Sequence, residues 1–464
     1  MMEAQEDIRK NWCRYLTAAL VVAAILTAGT IVSLWHLRNQ DWTNEVNLLR
    51  ESIFDTHLLF DSYTLYNWQV PKEVSANADD VRQHINAEAD ALIARIPWMS
   101  DREIALNLPR LVAPLKDGHS AFGSAPWLQK ATPFFFRYFA DGYYFSAYYD
   151  DAFPQREAEM ALLGSRLVAV NGHPPEEVEA GLLQLRGCEN VYDMRFQATT
   201  AFMSPAMLTI IGLNPGLDIA PTYTVETLSG QQVTLTPSGL VTSIVDPDGF
   251  WQPKYSEKVM LAKNDPANRA NDTRSGYELA YLDGGTVLHF RCFTFSGPTL
   301  YEIAPDVADA LTDNPQLERI IVDVRGNPGG HRDVAEAVLY AIRDLRPELW
   351  QRGDVYVATD GGSYSASIYM ANWLKTLCGA TIVGEPTGQG LWFFYGTVEI
   401  ELPKSGLSVY LSPYHSLLRA DDLPIDPENT YDGADAIYPD VLIERTIEQY
   451  MEDVDPVLEW ILAQ

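Results

Sequence analysis

The chain has 464 residues, of which 47% are apolar, and its formal net charge is −30. This length favours two or three globular units, and the apolar fraction is high enough for packed cores, which argues against a disordered chain. The acidic balance, spread along the chain, argues against nucleic acid or anionic lipid as the main partner, because both require basic surface. The cysteines lie far apart without CxxC or CxxH spacing, so we predict no disulfide framework, no metal site and no cofactor.

Residues 15–35 form an uncharged, apolar run of 21 positions, about the length that crosses a bilayer as a helix. Basic residues are more numerous before this run than after it, which predicts that residues 1–14 are cytoplasmic and that the rest of the chain is extracytoplasmic. The alternative is a cleaved signal peptide with a secreted product, although the apolar region of a signal peptide is usually only ~7–15 residues long. Length therefore favours a single-pass membrane anchor.

Helical and strand-like patterns then follow in order. Apolar residues at three- and four-residue spacing predict a helical subdomain over residues 42–115. Residues 116–245 are predicted to be β-rich: aromatic runs flank Asp141-Gly142, a hairpin signal, and the segment 162–185 reads as strand, Asn-Gly turn and helix.

The remaining chain divides into a linker and a core. Residues 246–276 are polar and rich in turn formers, so we predict a linker loop. From residue 277 to residue 464, strands and helices alternate, which predicts an α/β core.

A glycine-rich loop interrupts this core in "IIVDVRGNPGGHRD", where a β-branched strand precedes the loop and a helix is predicted from Arg332. Paired glycines let backbone N–H groups point towards one position, and a helix N-terminus adds positive partial charge there. The loop is suited to a phosphate or a reaction oxyanion, but it lacks the Gly-Lys-Ser/Thr of a Walker loop and the GxGxxG spacing. The structural alternative is a tight strand-to-helix turn.

The stretch "TDGGSYSAS" places alternating serines at a second strand-to-helix corner. Ser365, at the first turn of the helix, would have backbone N–H groups beside it that suit stabilisation of an oxyanion. The alternative is that Ser363 caps the helix and Ser365 is incidental.

A serine nucleophile needs a base that titrates near neutral pH, which histidine provides. His119, in "DGHS", lies in a predicted loop and is the candidate base. His331, beside the glycine-rich loop, is the rival, and a surface role is the alternative for either.

These motifs, in this order, resemble the serine peptidases of the C-terminal-processing and tricorn-core protease family, over roughly residues 100–464. The resemblance implies a mixed α/β (α+β) fold with a crotonase-like ββα core. It implies Ser365 as the nucleophile and an oxyanion hole made by the N–H of Ala366 and the backbone of Gly329 and Gly330. It also implies a hydrolase that acts on peptide or unfolded protein substrates.

The chain departs from the processing peptidases at Gln389, which stands where their Ser-Lys dyad has lysine, and an amide is no general base at neutral pH. The resemblance is therefore closer to the Ser-His, tricorn-like branch, with His119 as base and the adjacent Ser120 as a supporting hydroxyl. That branch also places a carboxylate shortly before the "PD" motif, where this chain offers Asp432 and Asp435. The segment 164–183 resembles part of a PDZ-like domain, with a small structural domain covering the cleft as the alternative.

The sequence thus predicts a membrane-anchored, extracytoplasmic serine endopeptidase. The alternative hypothesis is a catalytically inactive member that keeps the fold and binds a peptide or another ligand, because the family lysine is replaced. No oligomeric state is predicted.

Overall fold

The computed structural model describes residues 2–61, 77–123, 130–148, 161–237, 239–242, 276–417 and 435–464. Nearly all of the predicted linker loop, and Asp432, lie outside the described residues.

The chain begins with one continuous helix, α1 (Met2–Thr56), of 55 residues. The apolar part of α1 has the length and composition of a membrane-spanning helix, although a signal sequence has them too. The rest of the protein does not bury this part. Burial begins at Trp42 and continues at Val46, Leu49 and Ile53, which recur at helical spacing on one face. The predicted anchor and the first helix of the helical subdomain are therefore one continuous helix, α1, which we call the rod, whereas the sequence predicts two separate segments.

The buried face of α1 packs in a first hydrophobic core with two further helices and several 3₁₀ turns. A β-hairpin from the other end of the chain completes this core through Leu402, Val409 and Leu411. The helices are α2 (Ala78–Arg95) and α3 (Asp101–Asn107), the turns are Leu58–Phe60, Ile96–Trp98, Leu108–Leu111 and Ala113–Leu115, and the short strand β1 (Ala121–Phe122) pairs with the hairpin.

A second core lies between a five-stranded antiparallel sheet and three helices. The predicted hairpin at Asp141-Gly142 joins its first two strands, and the predicted Asn-Gly turn has positive φ at both Asn171 (50°) and Gly172 (84°). The strands, in spatial order, are β3 (Phe134–Phe139), β4 (Gly142–Tyr148), β5 (Arg166–Val170), β6 (Tyr223–Glu226) and β7 (Gln232–Leu235). The helices are α4 (Pro175–Leu182), α5 (Val191–Met203) and α6 (Pro205–Ile210), and β2 (Lys130–Ala131) pairs with β8 (Val241–Thr242).

The third core is built on a six-stranded sheet that is parallel except for one edge pair. Its strands, in spatial order, are β18 (Val441–Leu442), β13 (Thr381–Gly384), β12 (Val355–Thr359), β11 (Arg319–Asp323), β10 (Val287–Cys292) and β9 (Tyr277–Leu282), which is antiparallel to β10. Alternate residues of one strand face opposite sides of a sheet. Ile320 and Val322 accordingly face the helices of the larger cluster, while Ile321 faces the C-terminal helix. The predicted mixed α/β class is confirmed.

The elements of this third region are as follows. The strands outside the six-stranded sheet are β14 (Trp392–Tyr395), β15 (Val398–Leu402), β16 (Leu407–Leu411) and β17 (Tyr414–Leu417). The helices are α7 (Ile303–Asp313), α8 (Arg332–Leu345), α9 (Pro347–Arg352), α10 (Ala366–Cys378), α11 (Ile447–Met451) and α12 (Pro456–Leu462), and Asp283–Gly285 is a 3₁₀ turn.

The adjacent parallel strands β11 and β12 end at the same edge of the sheet. The glycine-rich loop follows β11 and the serine corner follows β12, so this topology brings the two motifs together at the carboxyl edge, the usual location of ligand sites in open α/β sheets.

Candidate active site

Ser365 occupies the corner between β12 and α10 with a strained backbone, φ 54° and ψ −114°. Its side chain makes no capping hydrogen bond to the helix. The hydroxyl oxygen instead lies 3.0 Å from Nε2 of His119, a residue 246 positions earlier in the chain. The alternative in which Ser365 is an incidental neighbour of a capping serine therefore finds no support in the geometry.

The flanking serines point the other way and bind the glycine-rich loop. Ser363 Oγ donates to the Val324 carbonyl at 2.8 Å, and Ser367 Oγ donates to the Asn327 carbonyl at 3.0 Å. Both serines are fully buried. The alternation in the sequence thus separates two inward-facing serines, which attach the loop to α10, from one serine that faces His119.

The glycine-rich loop approaches Ser365 very closely. A Cβ atom on Gly329 (φ 101°) would lie 2.5 Å from Ser365 Cβ and 2.8 Å from the Ala366 nitrogen. The N–H of Gly329 itself donates to Asn327 Oδ1 at 2.8 Å. Among the described residues, the N–H groups of Ala366 and Gly330 have no hydrogen-bond acceptor. Of the three predicted oxyanion-hole residues, two therefore offer a free amide and Gly329 offers close approach.

His119 lies in the turn between the 3₁₀ segment Ala113–Leu115 and β1. Its ring is stacked on Phe393 at an interplanar angle of 14°, with a centroid separation of 6.0 Å, and also contacts Tyr364. Burial lowers the pKa of His119 below its ordinary value, although the charge of Asp117 and the backbone of Phe394 act to raise it. The imidazole is therefore neutral at neutral pH.

The carboxylate nearest to His119 is Asp117, which is fully buried. Its Oδ1 accepts the His119 backbone N–H at 2.9 Å and lies 3.8 Å from His119 Nδ1. Its Oδ2 faces His57 Nε2 at 3.1 Å and accepts the Ser120 hydroxyl at 2.6 Å. Burial acts to raise the pKa of Asp117, but the hydrogen bond and charge of His57, with the nearby His119, hold it below its usual value.

Sequence reasoning missed Asp117 and His57. Asp117 was visible within "DGHS", two residues before His119, where a short turn brings its carboxylate back to the His119 N–H. His57 carried no usable signal, because it follows the C-terminus of α1 and meets Asp117 only through tertiary packing.

The other predicted residues lie as follows. Ser120 is buried beside Asp117, so its hydroxyl supports the carboxylate rather than the imidazole. Asp435 is exposed, and its carboxylate accepts the hydroxyl of Tyr438; within the described ranges it has no hydrogen bond or ion pair with His119. His331 is half exposed at the start of α8, where its Nδ1 lies 3.7 Å from Asp333.

Gln389 holds the backbone of the serine corner. Its Oε1 accepts the Ser365 N–H at 2.8 Å, and its Nε2 donates to Glu189 Oε1 at 2.7 Å. The Tyr364 hydroxyl donates to the same Glu189 oxygen. Burial, together with the charge of Asp117, raises the pKa of Glu189 well above its ordinary value. The position of the family lysine is thus filled by a neutral residue that fixes the main chain.

Ligand atoms of Asp117, His119 and Glu189 lie within 4.8 Å of one another and form the group of described residues that could hold a metal ion. An ion bound to the histidine would compete with the serine or with the carboxylate for its ring nitrogens. We assign no metal to this group.

A cavity of about 1120 Å³ opens beside these residues. It is bordered by Glu189 from the inner network, by aromatic and aliphatic side chains, by three basic residues and by the acidic residues Asp80, Glu88 and Asp435. The apolar members include Leu115, Met194, Trp392, Phe393 and Phe394, and the basic ones are Arg110, Lys116 and Arg186. Its volume is at the large end for a ligand-binding cleft.

A serine hydroxyl beside a neutral imidazole, next to free amides at a helix N-terminus, is the arrangement of a serine-type hydrolase. No family model matches the chain. In sequence it is similar to the carboxy-terminal processing protease CtpB of Bacillus subtilis (strain 168), with 30% identity over 155 residues. That match covers 29% of this chain and only 30% of the length of CtpB.

In structure the chain is similar to mature CPAF complexed with lactacystin, with a TM-score of 0.56, 13% identity and coverage of 92% of this chain and 98% of that chain. The tricorn protease also matches, with a TM-score of 0.43, at 14% identity over 92% of this chain and 36% of that chain. The predicted resemblance to the C-terminal processing peptidase family is confirmed, and these relatives are serine peptidases.

Proposed function

We propose that this protein is a membrane-anchored, extracytoplasmic serine endopeptidase in which Ser365 is the nucleophile and His119 the general base. The observation that carries the proposal is the 3.0 Å separation between Ser365 Oγ and His119 Nε2. That separation lies within the range over which an imidazole can take a hydroxyl proton directly.

In the first step, Ser365 Oγ attacks the carbonyl carbon of a peptide bond while its proton moves to His119 Nε2. The lowered pKa of His119 supports this role, because the base must be neutral to accept a proton. The carbonyl oxygen becomes an oxyanion, which the free N–H groups of Ala366 and Gly330 would stabilise. Each such donor is worth about 3 kcal/mol of activation free energy.

Asp117 is proposed to support the imidazolium that forms in this step. With its oxygen 3.8 Å from Nδ1, the carboxylate is too far for a direct hydrogen bond but close enough for a strong charge interaction at a buried site. Its field also favours the tautomer that carries the proton on Nδ1, which leaves Nε2 free to accept. His57 and Ser120 would hold the carboxylate in place.

In the second step, His119 gives its proton to the departing amine, and the peptide bond breaks to leave an ester on Ser365. Water then attacks the ester while His119 takes its proton. The bond between Ser365 Oγ and the acyl carbon breaks, His119 returns the proton to Ser365 Oγ, and the acid product is released. All proton transfers therefore pass through one ring nitrogen.

The finer assignments are also proposals. Residues 277–464 are proposed to form a crotonase-like catalytic core, supported by the six-stranded sheet that presents both motifs at one edge. Residues 116–245 are proposed to be the PDZ-like subdomain, and residues 42–115 the helical one. The substrates are proposed to be peptides or unfolded proteins, supported by the adjoining cavity and by the processing proteases that the chain resembles.

A serine-directed fluorophosphonate probe tests the nucleophile. The wild type should be labelled and Ser365→Ala should not, whereas Ser229→Ala, which alters an exposed turn remote in sequence from the site, should keep full labelling. Labelling of Ser365→Ala equal to that of the wild type would contradict the proposal.

Hydrolysis of an unfolded protein substrate tests the base. His119→Ala should lose nearly all activity, and the matched variant His331→Ala should keep it. The opposite pattern would make His331 the base. The alternative of an inactive binding protein is not favoured by the relatives. It predicts that the wild type and both variants hydrolyse no substrate.

A further inference from the structure

The uncharged part of α1 has a length that fixes where the bilayer ends. Between Arg14 and Arg38 there are 23 uncharged residues, 15–37, which span about 34 Å as a helix. The hydrocarbon core is about 30 Å thick, and about 40–45 Å with the headgroups. Trp12 and Trp35, 63% and 47% exposed, flank this segment at its two ends, as is typical of interfacial tryptophans. In a membrane-spanning α1, Arg38 therefore lies in the outer headgroup layer.

Among the residues of α1 whose side chains are described, Arg38 is the first that the folded domain binds through several hydrogen bonds. Its guanidinium donates to the carbonyls of Ile96 (3.0 Å) and Met99 (2.6 Å) and to the Asp101 carboxylate (2.7 Å). Side chains on a helix lean towards its N-terminus. The segment 96–101 is thus held level with the last turn of the membrane-spanning part.

Trp98 lies within this segment, in the 3₁₀ turn Ile96–Trp98. It is 86% exposed, the highest value among the exposed large apolar side chains of the described residues. A tryptophan ring left outside the protein at the level of the headgroups is well suited to the membrane interface, where its apolar body and its N–H group both find partners.

We propose that Trp98, together with Trp35, inserts into the outer interface of the bilayer, so that the domain stands directly on the membrane surface. This inference rests on the membrane anchoring in the proposed function. The bilayer is favoured over a protein partner because one unbroken helix joins the spanning segment to the domain. No linker lets the segment 96–101 rise away from the lipid.

The test uses the full-length chain reconstituted in phosphatidylcholine vesicles. A nitroxide label is attached to Trp98→Cys or, as a control, to Tyr301→Cys, which alters a residue that is 71% exposed and not near α1 in sequence. The collision rates of the label with oxygen and with a nickel chelate are then compared. The ratio of oxygen to nickel accessibility should be several-fold higher at position 98 than at position 301.

A second measurement needs no added cysteine. In vesicles of brominated phosphatidylcholine, the wild type should lose more tryptophan fluorescence than Trp98→Phe, which keeps an aromatic ring but removes the indole.

Three outcomes would overturn the inference, and they are distinguishable from one another. The first is protein that floats with vesicles while the label at position 98 is as accessible to nickel as the label at position 301. That result would mean that the protein is anchored but that Trp98 does not contact the interface. A label shielded from both quenchers would mean a protein contact instead. Protein that fails to float with vesicles would show that α1 does not anchor it in the membrane. Fluorophosphonate labelling of Ser365 tests the peptidase chemistry independently.

Discussion

Asp117 is proposed to act on His119 through its charge at 3.8 Å, and this distance sets the size of the expected effect. Asp117→Asn keeps the shape and an acceptor for the His119 N–H but removes the charge. We expect kcat to fall by roughly 10- to 100-fold, less than the ~10⁴-fold known for a directly hydrogen-bonded triad aspartate. Because the Asp117 charge raises the pKa of His119, the acid limb of kcat/KM should move to lower pH, which a pH–rate profile measures.

The matched control is His57→Gln, which keeps a donor towards Asp117 and should change kcat far less. An unaltered pH profile in Asp117→Asn would mean that Asp117 only shapes the loop.

Glu385 is a partly buried acid that directly follows β13. Burial and the charge of Asp360 raise its pKa to about 7, while Arg137 acts to lower it. A carboxyl group with a raised folded-state pKa favours folding while it is protonated, so its contribution is full below about pH 4.5, the value in the unfolded chain, and is lost as pH rises through about 7. Glu385→Gln should therefore stabilise the protein by up to about 3 kcal/mol at pH 8 and hardly at all at pH 4.5.

Urea denaturation at the two pH values measures this difference. Equal changes in the free energy of unfolding at pH 8 and pH 4.5 would show that Glu385 does not titrate as described.

At the scale of elements, the site depends on the contact between the glycine-rich loop and the corner that precedes α10. In Gly329→Ala, the added methyl group would lie 2.5 Å from Ser365 Cβ, and alanine is disfavoured at φ 101°. We expect a loss of activity of at least about 100-fold, because a displacement of about 1 Å at a reacting group costs that much.

Gly353→Ala is the matched control. Gly353 also has positive φ (84°), but a Cβ there would have no atom within 4 Å. It should cost about 1 kcal/mol of stability and leave activity intact. Similar activity in the two variants would contradict the close-approach argument.

The elements around the site were predictable because their signals are local. The apolar strand β11, the glycine-rich loop and the start of α8 at Arg332 follow one another in sequence, and the structure has them as predicted. The partners of His119 and Ser365 were not predictable in the same way. Glu189 and Gln389 are 200 residues apart and His57 and Asp117 are 60 apart, so only tertiary packing brings each pair together.

The continuity of α1 was missed for a different reason. Its composition changes abruptly after Leu37, from apolar on all sides to amphipathic, which predicted two segments. Nothing in the residues between them breaks a helix, and the structure runs straight through.

At the scale of the whole molecule, one buried ion network joins the centre of the sheet to the C-terminus. Arg325 binds Asp323 at the end of β11 and also binds Asp455, 130 residues later, through two hydrogen bonds of 3.0 and 2.7 Å. Asp455 in turn caps α12. Arg325→Met would leave Asp455 without its cation and Asp323 with only His289 (3.3 Å) and Arg291 (3.9 Å), so we expect a loss of about 3–5 kcal/mol in the free energy of unfolding.

A double-mutant cycle measures the coupling. Arg325→Met combined with Asp455→Asn should cost less than the sum of the two single changes, because the second carboxylate is then neutralised. Strict additivity would mean that the two residues do not interact.

The rod that α1 forms has a consequence for reach. From Arg38, the part of α1 that packs on the domain runs to Thr56, beside His57, which binds Asp117 next to the proposed catalytic pair. Those 19 positions amount to about 28 Å of helix. If α1 spans a membrane as proposed, with its axis along the bilayer normal, the hydroxyl of Ser365 would lie up to about 30 Å from the lipid surface. A substrate anchored in the same bilayer would need about eight or nine extended residues between the membrane and the cleaved bond to reach Ser365. This arrangement therefore predicts no cleavage close to the membrane surface.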